Sequence, residues 1–118
     1  MTPSAAARTV MEEATRVWLL RINREGWPDH PGRAEPWDIN RGRCVDWARY
    51  VCRCVPGAVM EEYDDSAAID DSKTDMLHTF VRLGGLCYDA ECPDGVPEPT
   101  DLPCFSHPYD RPSREEAN

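Results

Sequence analysis

A thiol, an imidazole and a carboxylate placed to act on one another make a nucleophile with its base, and the chain carries such a set at Cys44, His78 and Asp89. Cys44 stands in Gly42-Arg43-Cys44-Val45-Asp46-Trp47-Ala48. From it the small and apolar positions run Cys44, Trp47, Ala48, Val51, Cys52, Val55, the spacing of one helical face, and Pro56-Gly57 stops the run. The cysteine therefore sits in the first turn of a helix predicted over about 44–55. Backbone N–H groups in that turn lack intrahelical acceptors and the dipole there is positive, so thiolate is favoured over thiol. Gly42, with no side chain, lets a substrate or another backbone come close.

A thiolate nucleophile needs a base and a group that orients the base. His78-Thr79-Phe80-Val81-Arg82-Leu83, then Gly84-Gly85, then Leu86-Cys87-Tyr88-Asp89-Ala90-Glu91 reads as two strands joined by a two-residue turn, a hairpin over 78–91. In that register Leu83 opposes Leu86, Phe80 opposes Asp89, and His78 opposes Glu91. Alternate residues share a strand face, so His78, Phe80, Asp89 and Glu91 lie on one side of the sheet. Glu91 is directly across from His78 and Asp89 is diagonal to it, a backbone separation of roughly 7–8 Å that side chains bridge. On pattern alone both carboxylates compete to orient His78.

Gly-x-Cys-x-Asp-Trp-Ala at a helix start, a strand opening His-x-Phe-Val and a second strand ending Tyr-Asp follow one another in that order. Over about Trp37 to Phe105 the chain resembles the transglutaminase-like branch of the papain-like cysteine peptidase fold, in a compressed, minimal version. The resemblance implies Cys44 as nucleophile, His78 as general base and Asp89, rather than Glu91, as the orienting acid. Papain-like enzymes also hold the developing oxyanion with a side-chain amide ahead of the cysteine, together with the cysteine's own N–H. Asn40 is the nearest amide here, four residues upstream. The activity implied is acyl transfer from an amide in a protein or peptide substrate, as a peptidase or amidase with water as second acceptor, or as a transglutaminase with an amine. No cofactor is implied.

The elements that must position these residues make an α+β fold. An N-terminal helix and the cysteine-bearing helix pack on a small antiparallel sheet, the papain-like or transglutaminase-like core. At 118 residues the chain is long enough for one domain, expected over 1–105. After Thr2-Pro3-Ser4, the residues Val10, Met11, Ala14, Val17, Trp18 and Ile22 trace a helical stripe, predicting a long helix over about 4–25 that covers the back of the catalytic part. Residues 27–36 carry three prolines and read as an irregular connection, with His30 a solvated loop residue. Ala58 to Tyr63 reads as a strand, and 64–75 as a mobile acidic loop without the ligand spacing of a calcium site. Residues 90–96 turn the chain, Leu102 and Phe105 pin the following arm to the core, and 106–118 form a flexible polar tail.

The formal net charge of −9 argues against nucleic acid or an anionic lipid surface as partner. No apolar run approaches the ~20 residues of a membrane span, and no secretion-signal pattern opens the chain, so the expected location is the cytoplasm of a bacterial or phage-infected cell. There the six cysteines are expected as thiols rather than disulfides. A zinc site from Cys52, Cys54, Cys87, Cys92 and Cys104 is disfavoured, because no Cys-x2-Cys pair exists and Cys52 and Cys54 point to different sides of a helix. Buried thiols acting as small hydrophobes account better for Cys52 and Cys87. The alternative function is a catalytically silent module of the same fold, phage-encoded, that binds a host protein.

Overall fold

The computed structural model describes residues 5–26, 34–64 and 77–106. Within them four helices, one 3-10 turn and a four-stranded sheet alternate as α1 (Ala5–Arg24), α2 (Pro36–Gly42), α3 (Cys44–Cys54), β1 (Val59–Asp64), β2 (Leu77–Leu83), β3 (Leu86–Asp89), β4 (Cys92–Val96), the turn Pro99–Asp101 and α4 (Pro103–Ser106). The sheet is antiparallel in the order β1-β2-β3-β4. The expected α+β arrangement of helices packed on a small antiparallel sheet is what the chain forms.

Alternation along the strands sorts two cores onto the two faces of this sheet. On one face Val81 and Tyr88, directly paired, pack with Trp47, Ala48 and Val51 of α3 and with Ala7, Met11, Ala14 and Ile22 of α1. On the other face Phe80 and Cys87 meet Leu102 and Phe105, with Tyr63, Cys92 and Val96 at the margin. The arm after β4 is therefore held by Leu102 and Phe105, as their placement in the sequence suggested. α1 buries Ala7, Met11, Ala14 and Ile22, leaving Val10 and Trp18 half-exposed beside that line. Arg21 and Arg24 close α1 where cations suit the helix dipole, and Gly26 follows at φ 81°, a left-handed conformation that suits glycine.

α1 is tied to α3 by one buried polar link. The Trp47 indole N–H donates to Thr15 Oγ1 at 3.0 Å, and the Thr15 hydroxyl donates to the Met11 carbonyl at 3.1 Å. Both donors are satisfied, so the largest side chain of α3 is buried without the roughly 1–3 kcal/mol that an unpaired indole N–H would cost.

Four features go beyond or differ from the sequence reading. Trp37 to Arg41, to which the sequence assigned no element, belongs to α2, begun by Pro36 and a capping box in which Glu35 and Asp38 exchange side-chain-to-backbone bonds; the Glu35 N–H donates to Asp38 Oδ2 at 2.8 Å. Residues 92–96 form a fourth strand, which the Pro93-Asp94-Gly95 composition concealed; Pro93 is tolerated because β4 lies at the sheet edge. The hairpin turn at Gly84-Gly85 sets Leu83 opposite Leu86 as expected, but the β2–β3 ladder ends at Val81 with Tyr88. Ala90 and Glu91 turn into β4, so the expected pairs Phe80–Asp89 and His78–Glu91 are absent from that ladder. The acidic loop was assigned from residue 64, yet Asp64 belongs to β1. Its remainder, the His30 connection and the tail beyond Ser106 lie outside the described residues.

Gly95 tests the packing of β4. It has φ 81°, and a Cβ there would fall 2.7 Å from Cε2 of the buried Tyr88 ring. Gly85 has a similar φ of 84° and open space around it. Gly95→Ala is expected to destabilise the fold by about 2–4 kcal/mol, and Gly85→Ala by about 1 kcal/mol, the conformational share alone. Urea denaturation of both variants measures the difference; equal losses would refute the close approach of Gly95 to Tyr88.

Candidate active site

The three residues whose types suggested nucleophilic chemistry converge in space. α3 begins at Cys44, directly after α2 and the single linking residue Arg43, which leaves the thiol half-buried at the helix start. β2 runs past the end of its ladder with β3, and there His78 and Thr79 meet Cys44. His78 is fully buried and Asp89 is 1% exposed. Their side chains are joined by a 2.9 Å hydrogen bond between His78 Nε2 and Asp89 Oδ2. The other Asp89 oxygen, Oδ1, accepts from the Glu91 N–H at 3.0 Å. A carboxylate held at both oxygens cannot turn, so it fixes the plane of the imidazole.

With Nε2 engaged by Asp89, the ring's second nitrogen, Nδ1, is buried and makes no hydrogen bond. The thiols of Cys44 and Cys104 both lie against this imidazole. Burial opposes charge on His78. The Asp89 hydrogen bond, the contacts with Cys104 and Cys44 and the Asp89 charge outweigh it, so the imidazolium persists up to about 11. Burial also pushes the Cys44 thiol up, but His78, the Thr79 N–H and the Thr79 side chain together bring it below the ordinary thiol value. Both shifts favour the thiolate–imidazolium pair over the neutral one. By contrast, burial raises Cys52 and Cys87, and raises Cys92 to about 11.

The competition between the two carboxylates is resolved by the turn at Ala90-Glu91. It aims Asp89 at His78 and sends the Glu91 side chain to α2, where Glu91 Oε1 accepts from Asn40 Nδ2 at 2.8 Å. Glu91 thus holds the amide rather than the imidazole. Burial lifts the Glu91 carboxyl above its ordinary value, with the Asp89 charge adding to the lift while Asn40, Arg41 and His78 oppose it. Asn40 is 5% exposed, and its Oδ1 has no hydrogen-bond partner. One of its two amide protons is committed to Glu91, which leaves one for another acceptor.

The rest of the pocket was not legible in the sequence. Phe105 of α4 sets its ring edge-on to His78 at a centroid distance of 5.6 Å and to Tyr63 at 5.2 Å, closing the imidazole from the far side. Arg41 stacks over Trp37 at 4.3 Å and donates from its guanidinium to Cys104 Sγ at 3.1 Å. Thr79 contributes through its backbone N–H as well as its side chain, and the backbone part carries no sequence signature. Cys104 had one signal: it lies between the two pinning residues, Leu102 and Phe105, and so had to face the core. Among the described residues no group of three or more His, Cys, Asp and Glu side chains is placed to hold a metal ion, and no helix is long and apolar enough to cross a membrane.

Comparison with protein-family models, with curated proteins and with solved structures gives no match to the chain.

Cys44 is expected to react with iodoacetamide with an apparent pKa below the ~8.5 of an unperturbed thiol, whereas Cys52, Cys87 and Cys92 need higher pH. Because His78 contributes the largest share of what lowers Cys44, His78→Gln leaves burial opposed by Thr79 alone and moves the Cys44 midpoint upward. Asp89→Asn shifts it upward by about one pH unit, while Glu91→Gln leaves it nearly unchanged. Cysteine-resolved mass spectrometry across a pH series reads all four. A larger shift from Glu91→Gln than from Asp89→Asn would reassign the orienting group.

Proposed function

We propose that the protein is a cysteine-dependent acyl-transfer enzyme acting on an amide in a protein or peptide, with a minimal papain-like core of the transglutaminase-like branch. The observation that carries the proposal is the buried line from Asp89 through His78 to the half-buried Cys44 thiol at a helix N-terminus. Cys44 Sγ attacks the amide carbonyl carbon, and the carbonyl oxygen becomes an oxyanion to which the papain-like resemblance assigns the Cys44 N–H and the Asn40 amide as donors. The His78 imidazolium gives its Nδ1 proton to the leaving amine as the C–N bond breaks, leaving a thioester on Cys44. Neutral His78 then takes a proton from water or from a second amine, which attacks the thioester and restores the thiolate. Asp89 holds the ring in place through its hydrogen bond.

On this reading the enzyme works in the reducing cytoplasm with its cysteines as thiols. A second reading, a catalytically silent module that binds a host protein, is favoured by one observation. The imidazole that would act as base is wholly buried beneath Phe105, while Val59, Met60 and Leu77 stand exposed on β1 and at the start of β2.

Fluorogenic peptide amides, and separately a glutamine-containing peptide with a fluorescent primary amine, distinguish these readings. Turnover of either, with an acyl adduct on Cys44 detected by intact mass, is the expected result. Cys44→Ala abolishes it, and Asn40→Ala lowers kcat by roughly a hundredfold while sparing KM, since the oxyanion exists only after attack. Failure of both substrate classes to acylate Cys44 would favour the silent module.

A further inference from the structure

Acyl transfer as proposed gives Glu91 no role, yet the fold ties this residue in twice. Its backbone N–H donates to Asp89 Oδ1 at 3.0 Å, and its side-chain Oε1 accepts from Asn40 Nδ2 at 2.8 Å. With the 2.9 Å bond between Asp89 Oδ2 and His78 Nε2, a continuous line of hydrogen bonds runs from the imidazole to the Asn40 carboxamide. Glu91 is the link at which that line passes from the sheet to α2. Its side chain is half-buried, where an ionised carboxylate is disfavoured unless its oxygens are satisfied. A residue that only joined a helix to a turn could do so with a neutral side chain.

What a carboxylate adds is control over the sense of the amide. The two ends of an asparagine carboxamide are nearly equal in size and its terminal torsion is two-fold, so packing alone does not tell the nitrogen end from the oxygen end. Asn40 is 5% exposed and its Oδ1 has no hydrogen-bond partner, so among the described residues no donor holds the group from its oxygen end. The reversed amide would set Oδ1 against a carboxylate oxygen, two acceptors with no proton between them, in a place where little water is present to relieve the repulsion. An ionised Glu91 therefore selects the orientation in which Nδ2 faces it and the second N–H is left for another acceptor.

We propose that Glu91 is a positioning residue of the acyl-transfer site: by accepting from Asn40 Nδ2 it fixes the sense of the Asn40 carboxamide, so that an N–H rather than the carbonyl oxygen is presented to the oxyanion. The inference rests on the acyl-transfer reading and on Asn40 as a donor within it. Glu91 acts through Asn40 and not on the substrate. Its contribution to rate comes from reach and acceptor geometry, because negative charge by itself opposes a developing oxyanion. Two conservative variants separate these properties. Glu91→Gln keeps the length and a carbonyl acceptor without the charge, whereas Glu91→Asp keeps the charge but is one methylene too short to hold the amide.

The test compares the full chain with Glu91→Ala, Glu91→Gln, Glu91→Asp, Asn40→Ala and the double variant Asn40→Ala/Glu91→Ala. The readouts are kcat and KM on the amide substrate that the parent turns over, and the pH midpoint of Cys44 alkylation. Glu91→Ala is expected to lower kcat roughly tenfold with KM unchanged, since the amide is no longer held for an oxyanion that exists only after attack. Glu91→Asp falls with it, while Glu91→Gln stays within about threefold of the parent, a neutral carbonyl accepting more weakly but from the same place. The Cys44 midpoint is the same in the parent and all three single Glu91 variants. In the Asn40→Ala background, Glu91→Ala causes no further loss, as befits a residue that acts through another. A merely structural cross-link would lower activity in both backgrounds. Should Glu91→Ala fold poorly, the comparison of Glu91→Asp with Glu91→Gln carries the same decision. Losses that multiply in the double variant, a Glu91→Asp chain as active as the parent beside an impaired Glu91→Gln, or a Cys44 midpoint that moves with Glu91 would overturn the proposal. An active parent impaired by Asn40→Ala but indifferent to Glu91→Ala removes this inference alone, and a parent that turns over neither substrate class removes the acyl-transfer reading and this inference with it.

Discussion

The hydrogen bond between His78 and Asp89 is the constraint on which the rest of the site depends. Two ionisable groups have been taken out of water together, which is tolerated only because each satisfies the other and Asp89 takes a further bond from the Glu91 N–H. Removing either partner would strand a buried charge. Keeping both yields an imidazole with a fixed plane and one nitrogen left over, with the Cys44 thiol beside the ring.

The architecture explains how so small a chain keeps the pair buried. The sheet separates two cores, and the His78–Asp89 pair sits at the end of the β2–β3 ladder where these cores meet. α3 arrives from one face with Cys44, and α4 from the other with Phe105 and Cys104. α2 closes the remaining side through Asn40 and Arg41. Each element is short and contributes one or two side chains, so the site is assembled by packing rather than carried on any single motif. The Trp47–Thr15 link matters to function for the same reason, because it sets α3 against α1 and thereby fixes where the Cys44 helix begins.

Electrostatics in the site run against the chain's overall character. A protein of net charge −9 places the His78 imidazole beside Cys44 and the Arg41 guanidinium beside Cys104. The surrounding carboxylates serve those cations: Asp89 holds His78, and Glu91 is turned away to Asn40 with its own ionisation discouraged by burial. Local geometry, not net charge, decides the thiol chemistry, since burial removes the solvent that would otherwise screen each of these contacts.

Local pattern determined a good deal. The 3.6-residue spacing around Cys44 and along α1, the Gly84-Gly85 turn and the two-residue alternation of β2 and β3 are properties of neighbouring residues, so the helices, the hairpin and the shared face of His78 and Asp89 could be read directly. β4 and α2 escaped because proline and glycine in one, and a preceding proline-rich stretch in the other, mask periodicity that tertiary pairing and capping override. Whether Asp89 or Glu91 would orient His78 was beyond the pattern, because the two share a strand face two residues apart and the choice depends on where β3 turns. The convergence of Cys104, Arg41 and the Thr79 N–H on the same pocket was also decided only by the folded chain. Those contacts join residues far apart in sequence, and their energy comes from packing and desolvation that exist only once the two cores have closed on the sheet.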